Sequence, residues 1–364
     1  MTSIPNRCAE LRADFIDRGL TKTHIEYLDG IVRSARMNGD KLFPYEWDGH
    51  DLGHDLVKTM RLAEMWSVTP EMQDLIEHAA KSLPPQVLKR ESLPSQSGFL
   101  YLPKPLWMED IRGDHLPIRV ITWHERELGR EGESPGKDPP HVARGVTLNM
   151  HVLNGEDGDL AFKAMTPEER RRIASQVPTV SLFHAMSVAF DRQVWDIDTS
   201  DMVGVDPEVR AEIGRRTSRS LHDGETIEHL PDGRWLIRTS EGYVVKARAD
   251  NVIQFLHAYF HFVESTLSSM DREHPSKTLV KWMRRLGMPD GPISVVRLRR
   301  HEVTGKGMGG WVLSYRHVRR GHWRAQWYGS GEHRYQQHIF IAPTIVGPDD
   351  GPLRVRDVVN ILDH

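Results

Sequence analysis

The chain has 364 residues, with 48 Lys and Arg against 51 Asp and Glu, a net charge of −3, and one cysteine. That length accommodates about two domains and a sizeable core, and 38% hydrophobic with 27% charged residues excludes wholesale disorder. With Cys8 alone, intramolecular disulfides, cysteine-rich zinc sites and iron–sulfur clusters are excluded, and a reducing compartment fits.

At the N-terminus charges interrupt the apolar residues every two or three positions, which predicts no secretory signal and a cytoplasmic protein. Apolar residues three and four apart predict helices over 8–16, 24–37, 56–66 and 70–83. Thr69 caps the last of these, with Pro70 at its first helical position. From Leu93 the pattern changes: runs rich in Val, Ile, Phe and Thr at 98–102, 116–123, 145–152 and 180–190 predict strands, and 130–140 reads as an exposed loop. A short charged helix opens at Thr166, 198–221 is polar and partly helical, and 227–230, 235–239 and 243–246 form a small meander.

A long amphipathic helix is expected at 250–270 and a shorter one at 276–286, ending at Gly287. The most apolar stretch, 252–263, contains Gln254, His257 and His261 and falls short of the roughly 20 residues of a bilayer span, so no membrane association is expected. Strands return at 293–298, 310–318, 338–342 and 355–362. Because strands and helices segregate, the fold class is α+β: a helical N-terminal region, 1–90, packed beside a larger mixed, mainly antiparallel sheet domain, 91–364.

That domain ends in a basic aromatic hairpin at 315–338. Over 297–338 nine cations (Arg297, Arg299, Arg300, Lys306, Arg316, Arg319, Arg320, Arg324 and Arg334) face only Glu302 and Glu332, a local charge of +7 in a chain of net −3. Tyr315, Trp323, Trp327, Tyr328 and Tyr335 are interleaved with them. Aromatic rings that stack on unpaired bases while Arg and Lys hold phosphates suit RNA or single strands. The same residues also suit a protein interface or an ordinary sheet surface. No cofactor is expected, and the glycine-rich 305–310 lacks a phosphate-binding spacing and reads as a loop.

The histidines allow metal readings. His317, His322, His333 and His338 lie five apart in pairs, with neither a carboxylate between the members of a pair nor a cysteine to join them. His257 and His261, four apart among aromatic residues, read as core-edge side chains. Asp48-Gly49-His50-Asp51-Leu52-Gly53-His54-Asp55 resembles the His-Asp core of the HD-domain metal-dependent phosphohydrolases, for which His24, His54, Asp55 and Asp74 are the candidate ligands. A capped helix start with acids at its positive end accounts for the same aspartates.

The stretch Val318-Arg319-Arg320-Gly321-His322-Trp323-Arg324-Ala325-Gln326-Trp327-Tyr328-Gly329, followed by Ile339-Phe340-Ile341-Ala342-Pro343 and Gly347, resembles a family of phage, plasmid and mobile-element proteins. Ser97-Gly98-Phe99-Leu100-Tyr101 before Pro105-Leu106, and Ile121-Thr122-Trp123, extend the resemblance. That family includes the type V-A anti-CRISPR protein that suppresses production of the Cas effector. The resemblance implies a regulatory or anti-defence protein that acts by recognising RNA or a nascent host polypeptide, and a binding protein more than an enzyme. The candidate surface is Arg319, Arg320, His322, Trp323, Arg324, Gln326, Trp327 and Tyr328. An HD-like phosphohydrolase, a histidine-based ribonuclease and a structural phage component remain as alternatives.

Overall fold

The computed structural model describes residues 2–37, 47–83, 87–109, 115–128, 143–154, 168, 176–190, 195–198, 226–229, 235–238, 242, 244–249, 251–265, 267–298, 316–319, 322–329, 334–341, 344–346 and 353–354. Three N-terminal helices, α1 (Ile4–Arg18), α2 (Lys22–Met37) and α3 (Gly49–Leu62), precede β1 (Glu64–Val68) and α4 (Pro70–Ser82). Four longer strands follow: β2 (Ser97–Glu109), β3 (His115–Leu128), β4 (Ala143–Leu153) and β5 (Val180–Ala189). A small antiparallel sheet in the order β6-β9-β8-β7 is built from β6 (Trp195–Asp198), β7 (Thr226–His229), β8 (Trp235–Arg238) and β9 (Val244–Ala249). Then come α5 (Asn251–Val263), β10 (Ser268–Glu273), α6 (Lys277–Arg285) and β11 (Ile293–Leu298). The tail holds β12 (Arg316–Arg319), β13 (His322–Tyr328), β14 (Tyr335–Ile341), β15 (Thr344–Val346) and β16 (Leu353–Arg354).

The main sheet has seven strands in the order β10-β11-β1-β2-β3-β4-β5. β1 pairs parallel with both β11 and β2, and the other neighbours are antiparallel, so the sheet is mixed and mainly antiparallel as the α+β class requires. Because side chains alternate along a strand, the sheet feeds two cores. Phe99, Tyr101, Val120 and Val295 join Phe15, Leu28 and Leu56 on one side, whereas Leu100, Ile121, Trp123 and Val296 join Ile76, Phe255 and Phe260 on the other.

Two helices differ from their sequence expectation. The helix expected at 56–66 stops at Leu62, and Glu64–Val68 becomes an interior strand of the sheet, with Met65 in one core and Trp66 and Val68 in the other. A short apolar run fits helix and strand periods equally, and here a tertiary contact ends the helix. The Arg12 guanidinium donates to Met60 O at 2.6 Å and Arg61 O at 2.7 Å, taking carbonyls of the last turn. The helix expected over 250–270 stops at Val263. Ser265 N–H and Ser268 Oγ both donate to Phe262 O, and the following residues leave as β10 to pair with β11. The helix at 276–286 follows expectation, with Ser276 as cap, Gly287 at φ +68, and Met288 N–H reaching back to Met283 O.

In β2, Pro103 and Pro105 break the ladder and the register with β3 shifts between Tyr101 and Leu106. Buried Arg119 donates to Leu102 O and Pro103 O across this bulge, and the Gln73 side-chain amide pairs with the Lys104 backbone like a second peptide unit. The loops expected at 130–140 and 305–310, the helix at Thr166, most of 198–221 and the strand at 355–362 lie outside the described residues. Among the described residues, no helix is long and apolar enough to cross a membrane.

Candidate functional site: the C-terminal hairpin

The basic segment folds into two different sheets. β12 pairs with β15 and β16, whereas among the described residues β13 pairs with β14 alone, in a two-stranded antiparallel ribbon. The turn of the hairpin expected at 315–338 lies between Tyr328 and Tyr335 and opens at Gly329 with φ +80. Positive φ is cheap only for glycine, so Gly329 in the sequence Tyr-Gly-Ser-Gly marks the reversal.

Register and alternation sort the ribbon. Trp323 stands opposite Phe340, Arg324 opposite Ile339, Gln326 opposite Gln337, Trp327 opposite Gln336 and Tyr328 opposite Tyr335. Phe340 is buried against Phe262 of α5, with ring centroids 5.4 Å apart, and anchors this end of the ribbon to the core. The other end reaches solvent: Trp327 is 56% and Tyr328 38% exposed, with Arg324 and Arg334 exposed beside them. The Arg324 guanidinium donates to Gln326 Oε1 at 2.7 Å, and Gln326 Nε2 donates to Trp327 O at 3.2 Å, so two planar polar groups are held next to the aromatic tip.

The structure thus places Arg324, Gln326 and Tyr328 on one face of the ribbon, with Trp327 exposed on the opposite face. His322 and Trp323 lie on the same strand, Arg319 lies in β12 opposite Thr344, and Arg320 is outside the described residues. Arg334, which the sequence reading did not place in the surface, directly precedes β14; the Gly-Ser-Gly sequence before it is the signal that would have found it. Of the nine cations, Arg297 is committed to the sheet, paired with Asp271 at 2.8 Å and with Glu273. The hydrogen bond to Glu273 is the main cause of its raised pKa.

The four HD candidates do not converge. Among the described residues, no group of three or more His, Cys, Asp or Glu stands close enough to hold an ion. His24 is buried between Phe15 and Tyr27 with Nδ1 2.7 Å from Gly19 O, and burial lowers its pKa. Asp55 pairs with Arg126 at 2.9 Å, Asp74 pairs with Lys104 at 2.6 Å, and His54 meets His50. Each of the four HD candidates is thus engaged separately. The motif is explained by helix construction instead. Asp48 accepts from His50 N–H and Asp51 N–H while Asp51 accepts from Asp48 N–H, a capping box. These bonds, that from Asp51 first, hold the Asp48 carboxyl below its ordinary pKa. Gly49 and Gly53 face α2 so closely that a Cβ at either would fall within 2.8 Å of Ile25.

Of the four C-terminal histidines, His317 is in β12, His322 and His338 are in the ribbon, and His333 is outside the described residues. His257 is buried and His261 half-buried on α5, as core-edge residues should be. Cys8 is buried, its thiol 3.7 Å from Trp66 O and pushed up to about 12 by burial, which leaves it unreactive.

Residues 296–348 match the family model of AcrVA2-like proteins, the anti-CRISPR type V subtype A2 family. The matched span begins in β11 and includes the whole ribbon. No curated protein matches the chain. A solved structure described as the crystal structure of AcrVA2 aligns over 95% of this chain and 100% of its own, at 11% identity and a TM-score of 0.38, a likeness too weak to transfer a fold.

Proposed function

We propose that this chain, whose residues 296–348 match the AcrVA2-like anti-CRISPR family model, belongs to that family and counters a type V CRISPR system by capturing a host-made polypeptide, in the first place a nascent one, on the β13–β14 ribbon. The observation that carries this reading is the exposed pair Trp327 and Tyr328 beside Arg324 and Arg334, on a ribbon anchored by Phe340. Trp, Tyr and Arg dominate binding energy at protein interfaces. A strand pair already held in place loses little freedom on binding. Arg319, Arg320, His322 and Trp323 adjoin this surface in the chain and complete the proposed set.

RNA is the second reading, favoured by the Arg324–Gln326 pair on the same ribbon face as the exposed Tyr328 ring, an arrangement that stacks and hydrogen-bonds unpaired bases. The test is interference by a type V-A CRISPR system against a targeted plasmid in cells expressing the chain. Wild type protects the plasmid; Trp327→Ala with Tyr328→Ala loses at least about tenfold of that protection, the equivalent of about 1.4 kcal/mol of binding. Protection unchanged by the double substitution refutes the surface. Crosslinking from the same cells separates the partners: peptide attached at the ribbon supports the first reading, and RNA lost steeply with added salt supports the second.

A further inference from the structure

The histidines of α3 are left over once the capping box and the two glycines are explained. Four residues apart, His50 and His54 share one exposed helix face, with ring centroids 4.4 Å apart and Nε2 to Nε2 3.3 Å. Two zinc–nitrogen bonds of about 2.0–2.1 Å meeting at a tetrahedral angle place their nitrogens about 3.3 Å apart. We propose that His50 and His54 form a two-imidazole chelate for a first-row divalent cation of the zinc and copper class.

Three features support it. The backbone is rigid at this turn, because Asp48 and Asp51 close the capping box and Gly49 and Gly53 seat the helix against α2. A cation at a helix N-terminus opposes the helix dipole, and Asp48 and Asp51 supply compensating charge in the first turn. Imidazole nitrogen selects zinc, copper and nickel over magnesium and calcium. Water fills the remaining coordination positions, so the site is open and weaker than a closed four-ligand site. The same 3.3 Å also fits one imidazole donating Nε2–H to the other, and the experiment separates the two arrangements.

The chain has 20 histidines, so the site is read by difference. The full chain and its His50→Ala/His54→Ala variant are titrated with Zn2+ and Cu2+, with Mg2+ as control and His78→Ala as an exposed-histidine control. The proposal expects wild type and His78→Ala to bind one ion more than the double variant, Cu2+ tighter than Zn2+, and Mg2+ not at all. Each single substitution weakens that ion at least about tenfold, since even second-shell losses cost that much. Saturating Zn2+ raises the thermal midpoint of wild type and not of the double variant. Equal stoichiometry and affinity in wild type and double variant overturn the chelate and leave the hydrogen-bonded pair. A His50→Gln/His54→Gln variant repeats the comparison, with circular dichroism confirming that α3 is retained.

Discussion

Arg12 and Arg119 in the seven-stranded body have the same side chain as Arg324 and Arg334 on the ribbon, in opposite surroundings. Arg12 is 1% exposed and ends on two helix carbonyls, and Arg119 is 8% exposed and ends on the carbonyls of a bulge. Burial lowers the Arg12 pKa to about 10, a cost sustained only because charged hydrogen bonds offset it. Arg324 and Arg334 stay in solvent beside Trp327 and Tyr328. The body uses cations to finish backbone hydrogen bonding where helices and strands end, and the ribbon leaves them exposed. A positive run in a sequence therefore overstates a binding surface wherever part of it is taken up by ion pairs within the chain, as Arg297 is with Asp271 and Glu273.

The comparison can be broken most forcefully at Arg12. Arg12→Ala leaves Met60 O and Arg61 O without their donor and a cavity beside α3, and should destabilise the chain by about 4 kcal/mol in urea unfolding. A loss below about 1 kcal/mol would show that water replaces the guanidinium and that the strut is dispensable.

Acid should act on the body next. His151 is fully buried, with Nε2 3.2 Å from Thr122 Oγ1, and burial first, then neighbouring His24, depresses its pKa to about 3. The unfolded chain, at the ordinary value of about 6.5, takes up the proton earlier than the folded one. Stability is thus full above pH 6.5 and falls by about 1.4 kcal/mol per unit as the pH drops towards 3. Unfolding at pH 7 and pH 4.5 should differ by about 3 kcal/mol, and His151→Gln should flatten that slope.

At Gly98 the effect is steric. An added Cβ would lie 2.0 Å from the ring of Trp123, which is fixed by its own bond to Ser95 O and by Phe260. Gly98→Ala should cost about 2 kcal/mol, measured as a lower unfolding midpoint.

The smallest effect is expected on the ribbon. Arg324→Ala with Tyr328→Ala should shift stability by no more than about 0.5 kcal/mol, while partner capture falls. A large destabilisation would mean that these side chains, too, are struts.

Much of the fold is legible in the sequence because its signals are local. Thr69-Pro70 opens α4 as written, Ser276 and Gly287 bracket α6, and the alternating runs from Ser97 onward become β2 to β5. The aromatic and basic composition of the ribbon was equally visible, and so were Arg324, Gln326, Trp327 and Tyr328 as candidates. Their exposure was not, because alternation places residues on faces without saying which face the core covers. The contact between Phe340 and Phe262, 78 residues apart in the chain, helps orient the ribbon.

The α+β class, the caps, the turns and the content of the C-terminal segment were thus determined by the sequence, since each depends on residues within a few positions of one another. Tertiary structure decided where α3 stops and β1 begins, where α5 gives way to β10, and that β12 and β13 part into separate sheets. It also decided that His24, His54, Asp55 and Asp74 are engaged apart while His50 and His54 meet. These outcomes turn on distant partners, such as Arg12 for the end of α3 and β11 for β10. Such partners compete with local propensity at energies of about 1 kcal/mol per residue and prevail once burial adds to them.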